Sequence, residues 1–224
     1  MCGRFSASYP PDLGLAKYGA ALVDEPPPAS WNVAPTDPVS VVVERDTGRE
    51  VRTLRWGLVP SWATDKRVAS RLINARAETV ATKPAFRAAL LRRRCLIPAD
   101  GWYEWREKQP FFIASRGGGP VTFAGLYEVW RDPETEELVR TCAVVTTAAS
   151  DELRYLHDRM PVVLPDGQWE VWLDRGVEDT ALLTGLLVPN DGFAAYPVAK
   201  DVNSVRNNGP SLVEPIPAEN DGLF

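Results

Sequence analysis

Cys95-Leu-Ile-Pro-Ala-Asp-Gly-Trp-Tyr-Glu-Trp-Arg106 is the stretch on which the fold turns. Its apolar run Cys95–Ile97 and the aromatic alternation of Trp102–Arg106 are strand patterns, and the Pro, Asp and Gly between them break the chain. The rhythm continues downstream through Phe111–Ser115, Val121–Val129 and Leu138–Thr146, divided by turn residues. Gly117-Gly-Gly119, between two of these runs, is read as a hairpin turn. Upstream, Val39–Glu44 and Glu50–Trp56 flank Arg45-Asp-Thr-Gly48 and form a further hairpin. Helical composition is confined to short pieces: residues 11–20 after Pro10-Pro11, Ala75–Leu91 with a break at Lys83-Pro84, Asp151–Tyr155, Gln168–Leu173 and Glu178–Leu187. Pro26-Pro27-Pro28 imposes an extended connector. Many strands, few helices and no repeating βαβ unit predict an α+β fold with a mostly antiparallel, curved, barrel-like sheet. The chain is read as one domain over residues 1–224, with a loosely ordered tail from Pro210.

A chain of 224 residues with 45% hydrophobic and 25% charged content has the composition of an ordinary globular protein. No apolar run approaches the ~20 residues that span a bilayer, so no membrane contact and a cytoplasmic location, at the nucleoid when DNA is bound, are expected. Three cysteines, odd in number and far apart, argue against a disulfide framework. A single His and no Cys-x-x-Cys argue against zinc, and neither a metal nor a cofactor is expected. Cys95 and Cys142 lie in apolar strands and are expected to be buried and inert.

The net charge of −5 is unevenly distributed. Residues 71–110 carry nine Lys/Arg against four Asp/Glu, whereas 111–224 carry eight against eighteen. Arg92-Arg93-Arg94 is therefore either a solvated helix end or part of a phosphate-binding strip on an acidic body.

Cys2 concentrates the chemistry. Once Met1 is removed, an α-amine of pKa about 8 and a thiol of about 8.5 stand on adjacent carbons. The amine can form an imine with an aldehyde, and thiol addition to that imine closes a five-membered thiazolidine. Such steps need proton transfer. Glu104, flanked by aromatics that could desolvate it, and His157, which titrates near neutrality, are the candidates, with Asn74 as a group to orient a substrate oxygen. The ordinary roles of a strand Glu, a lone His and a turn Asn compete with these. Most of the eight Trp residues are expected in the core, yet a few beside Arg4, Arg55 and Arg76 would make an aromatic and cationic surface on which unpaired bases stack.

Met1-Cys-Gly-Arg-Phe5, Trp31-Asn-Val-Ala-Pro-Thr36, Arg55-Trp-Gly-Leu-Val-Pro-Ser-Trp62, Ile73-Asn-Ala-Arg-Ala-Glu-Thr79, Cys95–Trp105, Pro110-Phe-Phe-Ile113 and His157-Asp-Arg-Met-Pro161 together resemble the SRAP (SOS response-associated peptidase) domain family, whose members shield abasic sites in single-stranded DNA. The motifs fall in the family's order across nearly the whole chain. The resemblance implies that Cys2 condenses with the C1′ aldehyde of a ring-opened abasic sugar to give a thiazolidine crosslink. It implies Asn74, Glu104 and His157 as catalytic partners, and Arg4, Asn32, Trp56, Arg76, Trp105 and Arg159 on the DNA side. Single-stranded DNA with abasic sites is the implied partner, and weak lyase activity through the open imine an implied side reaction. Two other readings use the same residues: an N-terminal-nucleophile thiol hydrolase, with Cys2, His157 and Asn74 acting on an amide, and a non-catalytic single-strand binding module in which Cys2 is incidental.

Overall fold

The structure is a computed structural model that describes residues 2–8 and 16–216. Its strands are β1 (Phe5–Ala7), β2 (Ala21–Leu22), β3 (Ser30–Val33), β4 (Pro38–Arg45), β5 (Gly48–Trp56), β6 (Asn74–Arg76), β7 (Arg94–Ala99), β8 (Gly101–Arg106), β9 (Gln109–Ser115), β10 (Val121–Arg131), β11 (Leu138–Ala148), β12 (Arg159–Pro161) and β13 (Phe193–Pro197). Three short α-helices lie wholly within the described residues: α1 (Arg87–Arg92), α2 (Trp169–Leu173) and α3 (Thr180–Gly185).

Five strands close on themselves. β4 pairs antiparallel with β5 and β7, β7 with β10, and β10 with β11. The ring is completed by a parallel contact of β11 with β5, Thr141 opposite Arg55 and Cys142 opposite Trp56. Period-2 alternation sorts the side chains. Val41, Val43, Cys95, Ile97, Phe123, Cys142 and Val144 share the inner core, while Val42, Leu96, Ala124, Ala143 and Val145 pack outward against Leu90, Trp172 and Leu183 of the helices. The interior is filled to the point where β10 needs a glycine: a Cβ on Gly125 would lie 2.7 Å from Cys95 Sγ and 2.8 Å from Ile97 Cδ1.

A second, five-stranded sheet runs β13-β9-β8-β1-β3. Its inner face joins the barrel's core, with Phe5 edge-on to Trp56 at 5.0 Å and Trp102 edge-on to Phe123 at 6.0 Å. Tyr103 and Phe112 point the other way and are covered by Val198, Val202 and Leu212. The α+β, barrel-like reading is thus the fold observed, and the predicted strands and the 38–56 hairpin are all present.

Four expectations need correction. Ala75–Leu91 is helical only from Arg87, because β11 captures Asn74–Arg76 as a parallel strand and Pro84 delays the helix. Asp151–Tyr155 forms turns, since the chain must return to pair β12 with the end of β11. Gly117–Gly119 does not close a hairpin: β9 and β10 lie in different sheets, and the glycines, two at positive φ, carry the chain between them. The tail is ordered through residue 216, with Pro210–Val213 in a 3-10 turn that buries Leu212 against the Tyr103 cluster. Of the predicted helix at 11–20, residues 16–18 are helical, and 9–15, like 217–224, lie outside the described residues.

Candidate functional site

Strand β1 brings the start of the chain to the site. It lies antiparallel beside β8 with Phe5 opposite Trp102, a register that carries the residues before Phe5 toward Glu104. Ser6 Oγ and the Ser8 N–H both donate to Asp100, at 2.5 and 2.7 Å, and anchor this strand. On β8, Trp102 and Glu104 fall on the inward side by period 2, so an otherwise apolar face presents one carboxyl.

Cys2 is fully buried, and its thiol is pushed far up, first by burial and then by the Glu104 carboxylate. Its carbonyl accepts from Asn74 Nδ2 at 2.8 Å. Asn74 is held there by the β6–β11 pairing, and its Oδ1 is a buried acceptor with no hydrogen-bond partner among the described residues. Glu104 is 3% exposed, and burial raises its carboxyl to about 7, with Asp158 adding to the effect. A carboxyl at that value both gives and takes a proton at neutral pH. In the chain as it stands Cys2 follows Met1, so its nitrogen is a peptide nitrogen.

His157 approaches through its neighbour, since Asp158 acts on both His157 and Glu104. The Arg159 N–H donates to His157 Nδ1 at 2.9 Å, an arrangement that a neutral ring with its proton on Nε2 satisfies. Burial lowers the imidazole pKa, in accord with that neutral form. Asp158 Oδ1 also lies 2.9 Å from Nδ1, so protonation would exchange the backbone bond for an ion pair.

The structure therefore brings Cys2, Asn74 and Glu104 together, with His157 linked to Glu104 through their shared neighbour Asp158. The residues expected on the DNA side divide. Arg76 is exposed at the end of β6. Arg4 is half-buried, with its guanidinium over the Trp105 ring at 5.9 Å and Nη1 donating to Asn32 Oδ1 and Val202 O. Trp105 is half-buried, its Nε1 bonded to Asn203 Oδ1 at 2.7 Å.

Three assignments need correction. Asn32 is 3% exposed and saturated, accepting from Arg4 while Nδ2 donates to Ser204 O and Asn207 O, so it positions Arg4 and the 202–207 loop. Trp56 is completely buried, with Nε1 donating to Ile73 O, and offers no face to a base. Arg159 is clamped by Glu78 through two bonds of 2.5 and 3.0 Å and by Thr146 O at 2.7 Å. Nor is Arg92–Arg94 a phosphate strip: Arg92 pairs with Glu178, Arg93 with Glu128, and Arg94 is buried with its donors on the carbonyls of Leu90, Leu91, Trp172 and Asp174.

Among the described residues the exposed tryptophan is Trp62, at 64%. It rides on the excursion between Gly57 and Asn74, whose two ends leave β5 and enter β6 beside the site. The signal was in the sequence: Trp56 alternates with Leu54 toward the core, whereas Trp62 follows Pro60-Ser61 in turn chemistry. Asp158 was missed as well, because its influence on Glu104 is purely three-dimensional. An apolar recess of about 240 Å³ beside the proline connector, lined by Tyr18, Pro27, Pro28, Val33 and Val39, includes none of these groups. Among the described residues no three His, Cys, Asp or Glu side chains cluster as metal ligands.

The chain is 38% identical over 226 residues to the abasic site processing protein YoqW of Bacillus subtilis, covering 96% of this chain and 99% of that protein. It is 34% identical over 230 residues to the abasic site processing protein YedK of Escherichia coli, covering 96% and 100%. A crystal structure of a protein from Bacteroides thetaiotaomicron superposes with a TM-score of 0.84 at 26% identity, over 96% of this chain and all of the other. With residues 1–205 matching its family model, the chain belongs to the SOS response associated peptidase (SRAP) family.

Proposed function

We propose that this protein processes abasic sites in single-stranded DNA by capturing the lesion covalently on Cys2. The observation that carries the reading is the buried Glu104 carboxyl, raised to about 7, acting on Cys2. The names of the relatives support the substrate class. Removal of Met1 converts the Cys2 nitrogen into an amine. That amine adds to the C1′ aldehyde of the ring-opened sugar, and protonated Glu104 gives its proton to the departing hydroxyl, which leaves as water and yields the iminium form of the imine. The thiol then adds to the iminium carbon, its proton passes to the Glu104 carboxylate, and the thiazolidine closes with its nitrogen neutral and the acid restored.

Asn74 holds the Cys2 carbonyl through Nδ2 and offers Oδ1 to a sugar hydroxyl. His157, neutral with its proton on Nε2, assists sugar ring opening. Arg76 and Arg4 face the phosphates, and Trp62 offers its ring to a base. An imine that fails to close would allow β-elimination, a weak lyase side reaction.

The test is a denaturing gel of protein lacking Met1 with a single strand bearing one abasic site and an intact control strand. A heat-stable shifted band with the abasic strand alone is expected. No band, with Met1 absent by mass spectrometry, sinks the reading, and peptide turnover without DNA would favour a thiol hydrolase instead.

A further inference from the structure

The β8–β9 hairpin ends in the two-residue turn Glu107-Lys108, both at positive φ (51° and 67°), with Arg106 and Gln109 as its last facing pair. Arg106 stands two residues beyond Glu104 on the same side of β8, about 6.6 Å farther along it. Its guanidinium lies over the ring of Tyr155, 6.0 Å from the centroid. Tyr155 is 52% exposed, yet its loop is pinned by Leu153 and Leu156, both buried in the main core. The next residue but one is His157. Two acids of that loop are engaged elsewhere, Asp151 with Arg154 and Glu152 with Arg116. A large ring and a cation are therefore held together and accessible between the two arms of the site that carry Glu104 and His157.

We propose that Tyr155 and Arg106 form a stacking shelf for one unpaired nucleobase adjoining the sugar captured at Cys2, the ring taking the base and the guanidinium the neighbouring phosphate. This rests on the capture reading above. The offset of Arg106 from Glu104 matches the reach of a single extended nucleotide, so the shelf serves the base immediately flanking the lesion on one side. A face built this way is tolerant of base identity, because every base has a π-face.

The experiment measures equilibrium binding of the Cys2→Ala protein to single strands bearing one tetrahydrofuran abasic analogue, with the base on either flank present or removed. Tyr155→Ala is expected to weaken binding roughly fivefold or more, and Tyr155→Phe, which keeps the ring, hardly at all. Removing the base on one particular flank should cost the parent the same factor and cost Tyr155→Ala nothing. A Tyr155→Ala protein that binds like its parent, or whose loss is the same with and without both flanking bases, overturns the shelf. Crosslinking by the protein with Cys2 intact is run in parallel. Its failure would remove the covalent reading, while the binding comparison would still decide the shelf.

Discussion

Cys2 and the pair Cys95 and Cys142 are equally buried, and all three thiols are raised by desolvation, yet only one of these regions is equipped for chemistry. Cys95 and Cys142 face the barrel interior among Val, Ile and Phe side chains, and what acts on Cys95 besides burial is the other thiol. Cys2 meets a carboxyl at about 7 and an amide that holds its carbonyl. Burial alone does not separate a nucleophile from a packing residue, but the titratable neighbours do. Cys2→Ala should abolish the denaturation-resistant adduct completely. Cys95→Ala and Cys142→Ala should leave it intact and instead cost about 1 kcal/mol of stability each in urea unfolding. An adduct surviving Cys2→Ala would erase the contrast.

Glu104 sharpens it further. Glu104→Gln keeps shape and loses the proton relay, so the rate of adduct formation should fall on the order of 10²–10⁴-fold with little change in strand binding. The same substitution has a stability signature. A carboxyl raised above its unfolded value binds its proton more tightly in the folded state, so its contribution is fully present below about pH 4.5 and is lost as pH rises through about 7. Between those limits the parent should lose up to about 3 kcal/mol relative to Glu104→Gln. Parallel unfolding curves from pH 4 to 8 check this, and identical slopes for the two proteins would place the carboxyl's pKa at its ordinary value.

The barrel was legible from sequence because each strand carries the period-2 code that sorts inner from outer faces, as in Val41-Val42-Val43. Ala75 and Arg76 read as the start of a helix because their pairing partners, Val145 and Thr146, lie some seventy residues away and only tertiary contact reveals them. Cys2 and Glu104 could be proposed from their own chemistry, whereas Asn32 and Trp56 were placed toward DNA although the 202–207 loop covers Asn32 and alternation on β5 turns Trp56 into the core. Local pattern says which face a residue takes and cannot say what waits there. Trp62 and Trp56 test this point directly. Trp62→Ala should weaken single-strand binding about fivefold with stability unchanged, while Trp56→Ala should cost about 3–5 kcal/mol of stability.

The smallest effect separates two kinds of arginine. Charge counting over residues 71–110 made Arg92–Arg94 and Arg76 look alike, but the triplet is bound to Glu178, Glu128 and buried carbonyls while Arg76 projects into solvent beside Asn74. An arginine that neutralises one phosphate releases one condensed counterion. Arg76→Ala should therefore reduce the slope of log K against log salt by about 0.7 for a single strand. Arg92→Ala should leave the slope unchanged, because its guanidinium already has Glu178 at 2.6 Å as counter-ion. Binding isotherms at several salt concentrations distinguish the two, and an equal change in slope for both would mean that DNA displaces Glu178 and that the basic segment binds as a block.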